Sequence, residues 1–212
     1  MIDVDALAWD KMDGLLPAVV QDADSGEVRM IGYMNREALG ATIADGFVTF
    51  FSRSRQQLGR KGESSGDTLA LLSVTADCDG DALLVIARPN GPTCHTGTTS
   101  CFGNRKAPGV GFVADLERIL VERATADPAT SYTARLVGEG IKRIAQKVGE
   151  EGVETVIAAL NETENDLINE ASDLIFHLLV LLKEKNISLE TISRNLEQRH
   201  VSRPATQQEK QK

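Results

Sequence analysis

The sequence predicts an α+β protein in two parts, a β-rich amino-terminal domain followed by an all-helical carboxy-terminal one. Three observations predict this. Up to about residue 102, short apolar runs alternate with turn residues. Beyond it, apolar residues recur with helical spacing over long stretches. Between them, Gly103-Asn104-Arg105-Lys106-Ala107-Pro108-Gly109 has the composition of a linker. The expected organisation is a domain over 1–104, a linker over 105–111, a helical domain over 112–203 and a polar tail over 204–212.

Each element has a local reason. Residues 16–21 read as a strand, Asp24-Ser25-Gly26-Glu27 as a turn and residues 28–34 as the partner strand. Asn35 suits the N-cap of a short helix through Leu39. Residues 48–52, 69–75 and 83–87 are further strands, and Asn90-Gly91-Pro92 is a turn. Four helices are expected, over 112–125, 132–160, 164–185 and 188–200. Asp127-Pro128, Asn161-Glu162-Thr163 and Asn186 punctuate them, and Ser188 with Thr191 suits a helix start. No tandem repeat is visible.

Composition narrows the class. The chain has 212 residues and is 42% hydrophobic, ample for globular cores, with a net charge of −8 that disfavours nucleic acid and anionic membranes. The start, Met1-Ile2-Asp3-Val4-Asp5, lacks the basic and apolar regions of a signal peptide. The longest apolar run, over 174–182, is too short to cross a bilayer and contains His177. With cysteines suited to metal rather than disulfides, this points to the cytoplasm.

The most informative stretch is Asp77-Cys78-Asp79-Gly80-Asp81, followed by Pro92-Thr93-Cys94-His95-Thr96-Gly97-Thr98-Thr99-Ser100-Cys101-Phe102. All three cysteines fall inside it. Thiolates favour zinc and grouped carboxylates favour harder ions such as magnesium, so one region offers both kinds of site. Three protein ligands leave zinc a fourth position for water, which points to metal-assisted hydrolysis. Buried structural cysteines are the plain alternative. An odd count argues against a disulfide framework, and no acidic residue follows at the spacing of an EF-hand.

The helical part carries a second acidic group. Lys147, Glu150, Glu151 and Glu154 project onto one helix face, and Glu170, Asp173 and His177 onto another. The latter borders an apolar stripe of Leu167, Ala171, Leu174 and Leu178. Helices packed through such stripes bring the carboxylates together, where a cation neutralises them; a solvated acidic face is the alternative. Gly138, Gly140, Gly149 and Gly152 each cost about 1 kcal/mol inside a helix, which close packing or substrate approach would offset.

These residues carry a resemblance. The first half resembles phosphoribosyl-AMP cyclohydrolase over Leu15-Leu16-Pro17-Ala18-Val19-Val20-Gln21, Gly32-Tyr33-Met34-Asn35, Phe51-Ser52-Arg53-Ser54-Arg55, Lys61-Gly62-Glu63-Ser64-Ser65-Gly66 and the two cysteine segments. The second half resembles phosphoribosyl-ATP pyrophosphohydrolase, a MazG-like helical-bundle family, over Glu150-Glu151-x-x-Glu154 and Glu170-x-x-Asp173. The order is that of the bifunctional histidine-biosynthesis family. One departure stands out: where that family usually reads Leu-Trp-x-Lys-Gly-Glu, this chain has Leu58-Gly59-Arg60-Lys61-Gly62-Glu63, which implies looser substrate packing near Lys61.

The resemblance implies two nucleotide-binding hydrolytic sites and two cofactors, Zn2+ and Mg2+. The helical domain would release pyrophosphate from phosphoribosyl-ATP, with magnesium on Glu150, Glu151, Glu154, Glu170 and Asp173, and Lys147 near a phosphate. The first domain would then open the adenine ring of phosphoribosyl-AMP between N1 and C6. Its zinc ligands would be Cys78, Cys94 and Cys101, and its magnesium ligands Asp77, Asp79 and Asp81. His95 would move the proton, and Arg53, Arg55 and Lys61 would hold phosphates. If residues 77–81 run extended, the three aspartates face one way and Cys78 the other. An obligate homodimer is then expected, with each ring-opening site pairing Cys78 of one chain with Cys94 and Cys101 of the other. The competing functions are a zinc base deaminase, whose His-x-Glu and Pro-Cys-x-x-Cys elements are absent, a metal sensor, and a general nucleotide pyrophosphatase.

Overall fold

The computed structural model describes residues 2–103, 107 and 109–201. Residues 104–106 and 108 of the expected linker, and the tail expected at 204–212, lie outside the described residues. The chain divides into two compact units, Met1–Val113 and Ala114–Lys212.

The first unit contains strands β1 (Leu16–Asp22), β2 (Val28–Met34), β3 (Thr49–Ser52), β4 (Gln57–Arg60), β5 (Leu69–Ala76) and β6 (Leu83–Pro89). Four of them form a sheet in the order β2-β1-β6-β5, with β1 and β6 parallel and the other pairs antiparallel. Alternation places Leu16, Ala18, Val20 and Asp22 of β1 inside. Pro17 is tolerated in this central strand because pairing with β6 begins only at Ala18. Helix α1 (Arg36–Asp45) starts where Asn35 accepts a hydrogen bond from the Ala38 amide at 2.8 Å. It runs one and a half turns beyond the expected end, burying Ala38, Leu39 and Thr42. The core gathers these with Trp9, Met34, Val48, Leu69, Leu83 and Val85.

Strand β4, which pairs with β3, is not foreseen from the sequence. Gln57-Leu58-Gly59-Arg60 is too short, and interrupted by glycine, to display an alternation. Gly59 sits opposite Phe50, and a Cβ there would meet nothing within 4 Å. The space for a larger residue is open.

In the second unit the expected helix over 132–160 is two helices. In chain order the helices that follow are α2 (Gly111–Ala124), α3 (Tyr132–Glu139), α4 (Ile141–Asn161), α5 (Glu164–Glu184) and α6 (Leu189–Val201). Gly140, at φ 87° and ψ 171°, breaks the chain between α3 and α4. A one-residue break leaves the apolar periodicity almost unshifted, so the pattern does not reveal it. Among the described residues no close packing accounts for the other glycines: a Cβ on Gly138 or Gly149 meets nothing within 4 Å, and one on Gly152 only Leu174 Cδ1 at 4.0 Å. Thr163 and Asp166 form a reciprocal capping box that starts α5 and turns it back along α4. Ile144, Ala158, Leu179 and Val180 are buried in this helical hairpin.

Candidate active sites

The loop after β6 is held against β2 by a buried ion network. Arg29, 3% exposed at its side chain, pairs with Asp22 and with Glu27 Oε2 at 3.1 Å. It also donates to the Thr99 carbonyl at 2.9 Å. The Cys101 amide donates to the Arg29 carbonyl at 2.8 Å, and Ser100 Oγ to the Val28 carbonyl at 2.8 Å. Within the loop, the Cys94 amide bonds the Thr98 carbonyl and the Gly97 amide bonds the Cys94 carbonyl, both at 3.0 Å. Two thiols are therefore presented side by side.

Their surroundings differ. The Thr96 hydroxyl, 3.2 Å from Cys94 Sγ, leads a set of donors that brings the Cys94 thiol down to about 6. Burial, reinforced by the neighbouring Cys94 sulfur, pushes Cys101 up. His95 Nδ1 lies 3.8 Å from Cys94 Sγ. Cys94, His95 and Cys101 line a cavity of about 460 Å³ with Met30, Lys61, Ser65, Asp67 and Thr93. A second cavity of about 640 Å³ shares Met30 and is lined by Tyr33, Phe50, Phe51 and Arg53. There the Arg53 guanidinium stacks 3.8 Å from the Tyr33 ring centre. Arg55 is exposed on the turn between β3 and β4, outside both cavities.

Residues 77–81 are not extended. Asp77 Oδ1 accepts from the Asp81 amide at 3.0 Å and the Ala82 amide at 3.1 Å, folding the segment into the turn between β5 and β6. Alternation therefore does not separate Cys78 from the aspartates. One oxygen each of Asp77, Asp79 and Asp81 lies within 4.8 Å of the others. Lys11 Nζ pairs with two of them, 2.5 Å from Asp79 and 3.4 Å from Asp81. It arrives on the 3-10 turn Trp9–Met12, tied down where the Ala8 amide meets the Gly80 carbonyl at 2.9 Å.

What does separate Cys78 from the other thiols is the length of a hairpin. Cys78 follows the end where Ala76 pairs with Leu83, whereas Cys94 follows the end where Leu69 pairs with Pro89. An eight-residue strand spans about 25 Å. Cys78, which is exposed, is not gathered with Cys94 and Cys101 in one chain.

In the helical unit Glu151, Glu154 and Glu170 bring carboxylate oxygens within 4.8 Å of one another. Glu151 is buried and held by Lys147 Nζ at 2.6 Å. Burial, then the nearby Glu154 and Glu151, raises Glu170 above the usual carboxylate range. Glu150 turns aside to Lys147, Gln146 and Arg143, and Lys147 holds it below that range. Asp173 is exposed and outside the trio. His177 is buried, its Nδ1 2.9 Å from the Asp173 carbonyl and its Nε2 3.1 Å from the Tyr132 hydroxyl. The first contact requires a proton on Nδ1, which also lies 3.7 Å from Glu151 Oε1. Sequence reasoning missed Arg29, Lys11, Asp67, Thr93 and Tyr132. A charged Arg29 within an apolar strand was the one available signal.

Comparisons with known proteins agree over most of the chain. The phosphoribosyl-AMP cyclohydrolase family model matches residues 30–103, and the phosphoribosyl-ATP pyrophosphohydrolase model matches residues 113–200. The histidine biosynthesis bifunctional proteins HisIE of Salmonella typhimurium and Escherichia coli K12 are each 57% identical over 194 residues, 92% of this chain and 95% of theirs. That of Yersinia pestis is 53% identical over 197 residues, 93% of this chain and 96% of its own.

Proposed function

Because the chain belongs to the bifunctional histidine-biosynthesis family that joins a phosphoribosyl-AMP cyclohydrolase to a phosphoribosyl-ATP pyrophosphohydrolase, we propose how its groups divide the two reactions. The carboxy-terminal half converts phosphoribosyl-ATP to phosphoribosyl-AMP and pyrophosphate. The amino-terminal half opens the adenine ring of phosphoribosyl-AMP between N1 and C6.

Ring opening belongs to the thiol cavity. Cys94, with its pKa near 6, is a thiolate at neutral pH and a ready ligand. Cys94, Cys101 and Cys78 of a second chain fit zinc, which supplies an activated water at neutral pH. His95, beside Cys94, would hold the proton released on attack at C6 and hand it to N1 as the N1–C6 bond breaks. Lys61 meets a substrate phosphate in the same cavity, and Arg53, fixed over Tyr33, meets the other in the neighbouring one. The Asp77, Asp79 and Asp81 carboxylates fit magnesium once Lys11 withdraws.

Pyrophosphate release belongs to Glu151, Glu154 and Glu170, whose crowded oxygens suit magnesium and the triphosphate it carries. Glu150 acts through Lys147, which orients Glu151. Lys147 is therefore a positioning group more than a phosphate ligand.

The observation that carries this reading is the hairpin separating Cys78 from Cys94 and Cys101. It favours a homodimer whose ring-opening sites draw on both chains. The exposed apolar Val153, Val156, Ile157 and Leu160 of α4, with Ile168, Ile175 and Leu178 of α5, favour a second copy in the helical half too. The −8 charge and absent membrane-length helix among the described residues leave small nucleotides as the partners, and three metal-suited thiols favour the cytoplasm. Mixing inactive Cys78→Ser with inactive Cys94→Ser subunits tests the shared site. In a mixed dimer one site collects both defects and the other is intact, so about one quarter of the ring-opening capacity returns. No return despite demonstrated subunit exchange overturns the shared site.

A further inference from the structure

Two polar groups on the wall of the thiol cavity have no partner among the described residues. Thr93 Oγ1 is buried and meets no hydrogen-bond partner among the described residues. Such a hydroxyl, shut away from water, is unfavourable unless something pairs with it. Asp67 uses its amide, which donates to Ser65 Oγ at 3.3 Å, and no group among the described residues pairs with its carboxylate.

The fold nevertheless holds Asp67 firmly. A Cβ on Gly62 would stand 2.2 Å from the Asp67 carbonyl oxygen, and one on Gly91 would stand 2.4 Å from Asp67 Oδ1. Both glycines have positive φ, 80° and 111°. Backbone bonds close the loops on either side: the Gly66 amide to the Gly62 carbonyl and the Asn90 amide to the Thr68 carbonyl, both at 2.8 Å. Asn90 Nδ2 ties the two loops together through the Gly66 carbonyl at 3.2 Å. A carboxylate fixed this way without a protein partner is prepared for a ligand.

The chemistry of the substrate says which part of it. A ribosyl group on N1 turns N1, C6 and the exocyclic N6 of adenine into a basic amidine that is cationic at neutral pH. AMP itself has the same ribose phosphate and amino group without the charge. We propose that Asp67 is a specificity residue for ring opening, accepting a hydrogen bond from N6 of the cationic amidine, with the Thr93 hydroxyl as the second contact to the base. The inference rests on the assignment of ring opening to this cavity. Lys61 and Asp67 then divide the substrate by charge, the lysine taking phosphate and the carboxylate the base.

The test uses full-length Asp67→Asn and Thr93→Val, with ring-opening kcat and KM for phosphoribosyl-AMP, AMP affinity by calorimetry, and the melting temperature. Asp67→Asn keeps the size and most hydrogen-bonding capacity but removes the charge. It should raise KM for phosphoribosyl-AMP about tenfold while leaving AMP affinity nearly unchanged. Thr93→Val should raise KM without lowering the melting temperature, since the unpaired hydroxyl contributes no stability. Equal loss of both ligands in Asp67→Asn means that the carboxylate reads the ribose or neutral adenine and overturns the proposal, as does an unchanged KM. A lower melting temperature with unchanged kinetics in Thr93→Val removes Thr93 from it. Cys94→Ser run in parallel separates the premise: if ring opening survives that change, the cavity assignment falls and the proposal falls with it.

Discussion

Cys94 and Cys101 share a loop and a cavity, yet their neighbours make them chemically unequal. Donors from Thr96 and Thr98 favour the Cys94 thiolate, whereas burial and the adjacent sulfur favour the Cys101 thiol. The thiolate is the reactive form, so a lowered pKa means reactivity that persists down to about pH 6 and is lost below it. In metal-stripped protein, iodoacetamide should label Cys94 with a midpoint near pH 6 and Cys101 only at alkaline pH. Peptide mapping across a pH series reads both, and a shared midpoint would refute the assignment. Arg29 explains why the two thiols stay adjacent. Its guanidinium joins β1, the turn after it and the Thr99 carbonyl, and breaking one arm leaves buried charge without its partner.

Among the elements, the 3-10 turn Trp9–Met12 and the β5–β6 turn meet through Lys11 and three aspartates. The ammonium group competes for the carboxylates proposed to take a divalent ion, and it holds Asp79 below the usual carboxylate range. Lys11→Met should therefore tighten Mn2+ binding to the amino-terminal half severalfold, read by electron paramagnetic resonance with the helical carboxylates replaced. Weaker binding would mean that Lys11 assembles the site instead of competing for it. This contact also shows what the sequence concealed. Residue types suited to metal are visible in any sequence, but Lys11 and Asp79 stand 68 positions apart. Only the folded chain introduces them, and the same holds for Arg29 with Thr99. Strands β1 and β6 and helices α2 and α5 were legible because burial imposes a period on them, and β2 and β5 because apolar runs lie between turn residues. Strand β4, the break at Gly140 and the turn at 77–81 were not, since a backbone dihedral or a side chain bonded to a backbone amide leaves no periodic trace.

At the scale of the molecule, each compact unit carries its own cluster of carboxylates spaced to hold a cation. Glu154→Gln with Glu170→Gln should lower pyrophosphate release about a hundredfold or more, by removing charge from the proposed magnesium site. Ring opening of supplied phosphoribosyl-AMP should stay near wild type, with the circular dichroism spectrum unchanged. Parallel loss of both activities would show that the halves do not work independently. The β5–β6 hairpin has a different consequence, one for heredity. On the shared-site reading, its two ends belong to different active sites. A cell carrying two defective copies of the gene, one altered at Cys78 and one at Cys94, should grow without histidine. Two copies both altered at Cys78 should not. A complementation map of such alleles would fall into two groups, and the boundary between them would run along the length of one antiparallel strand pair.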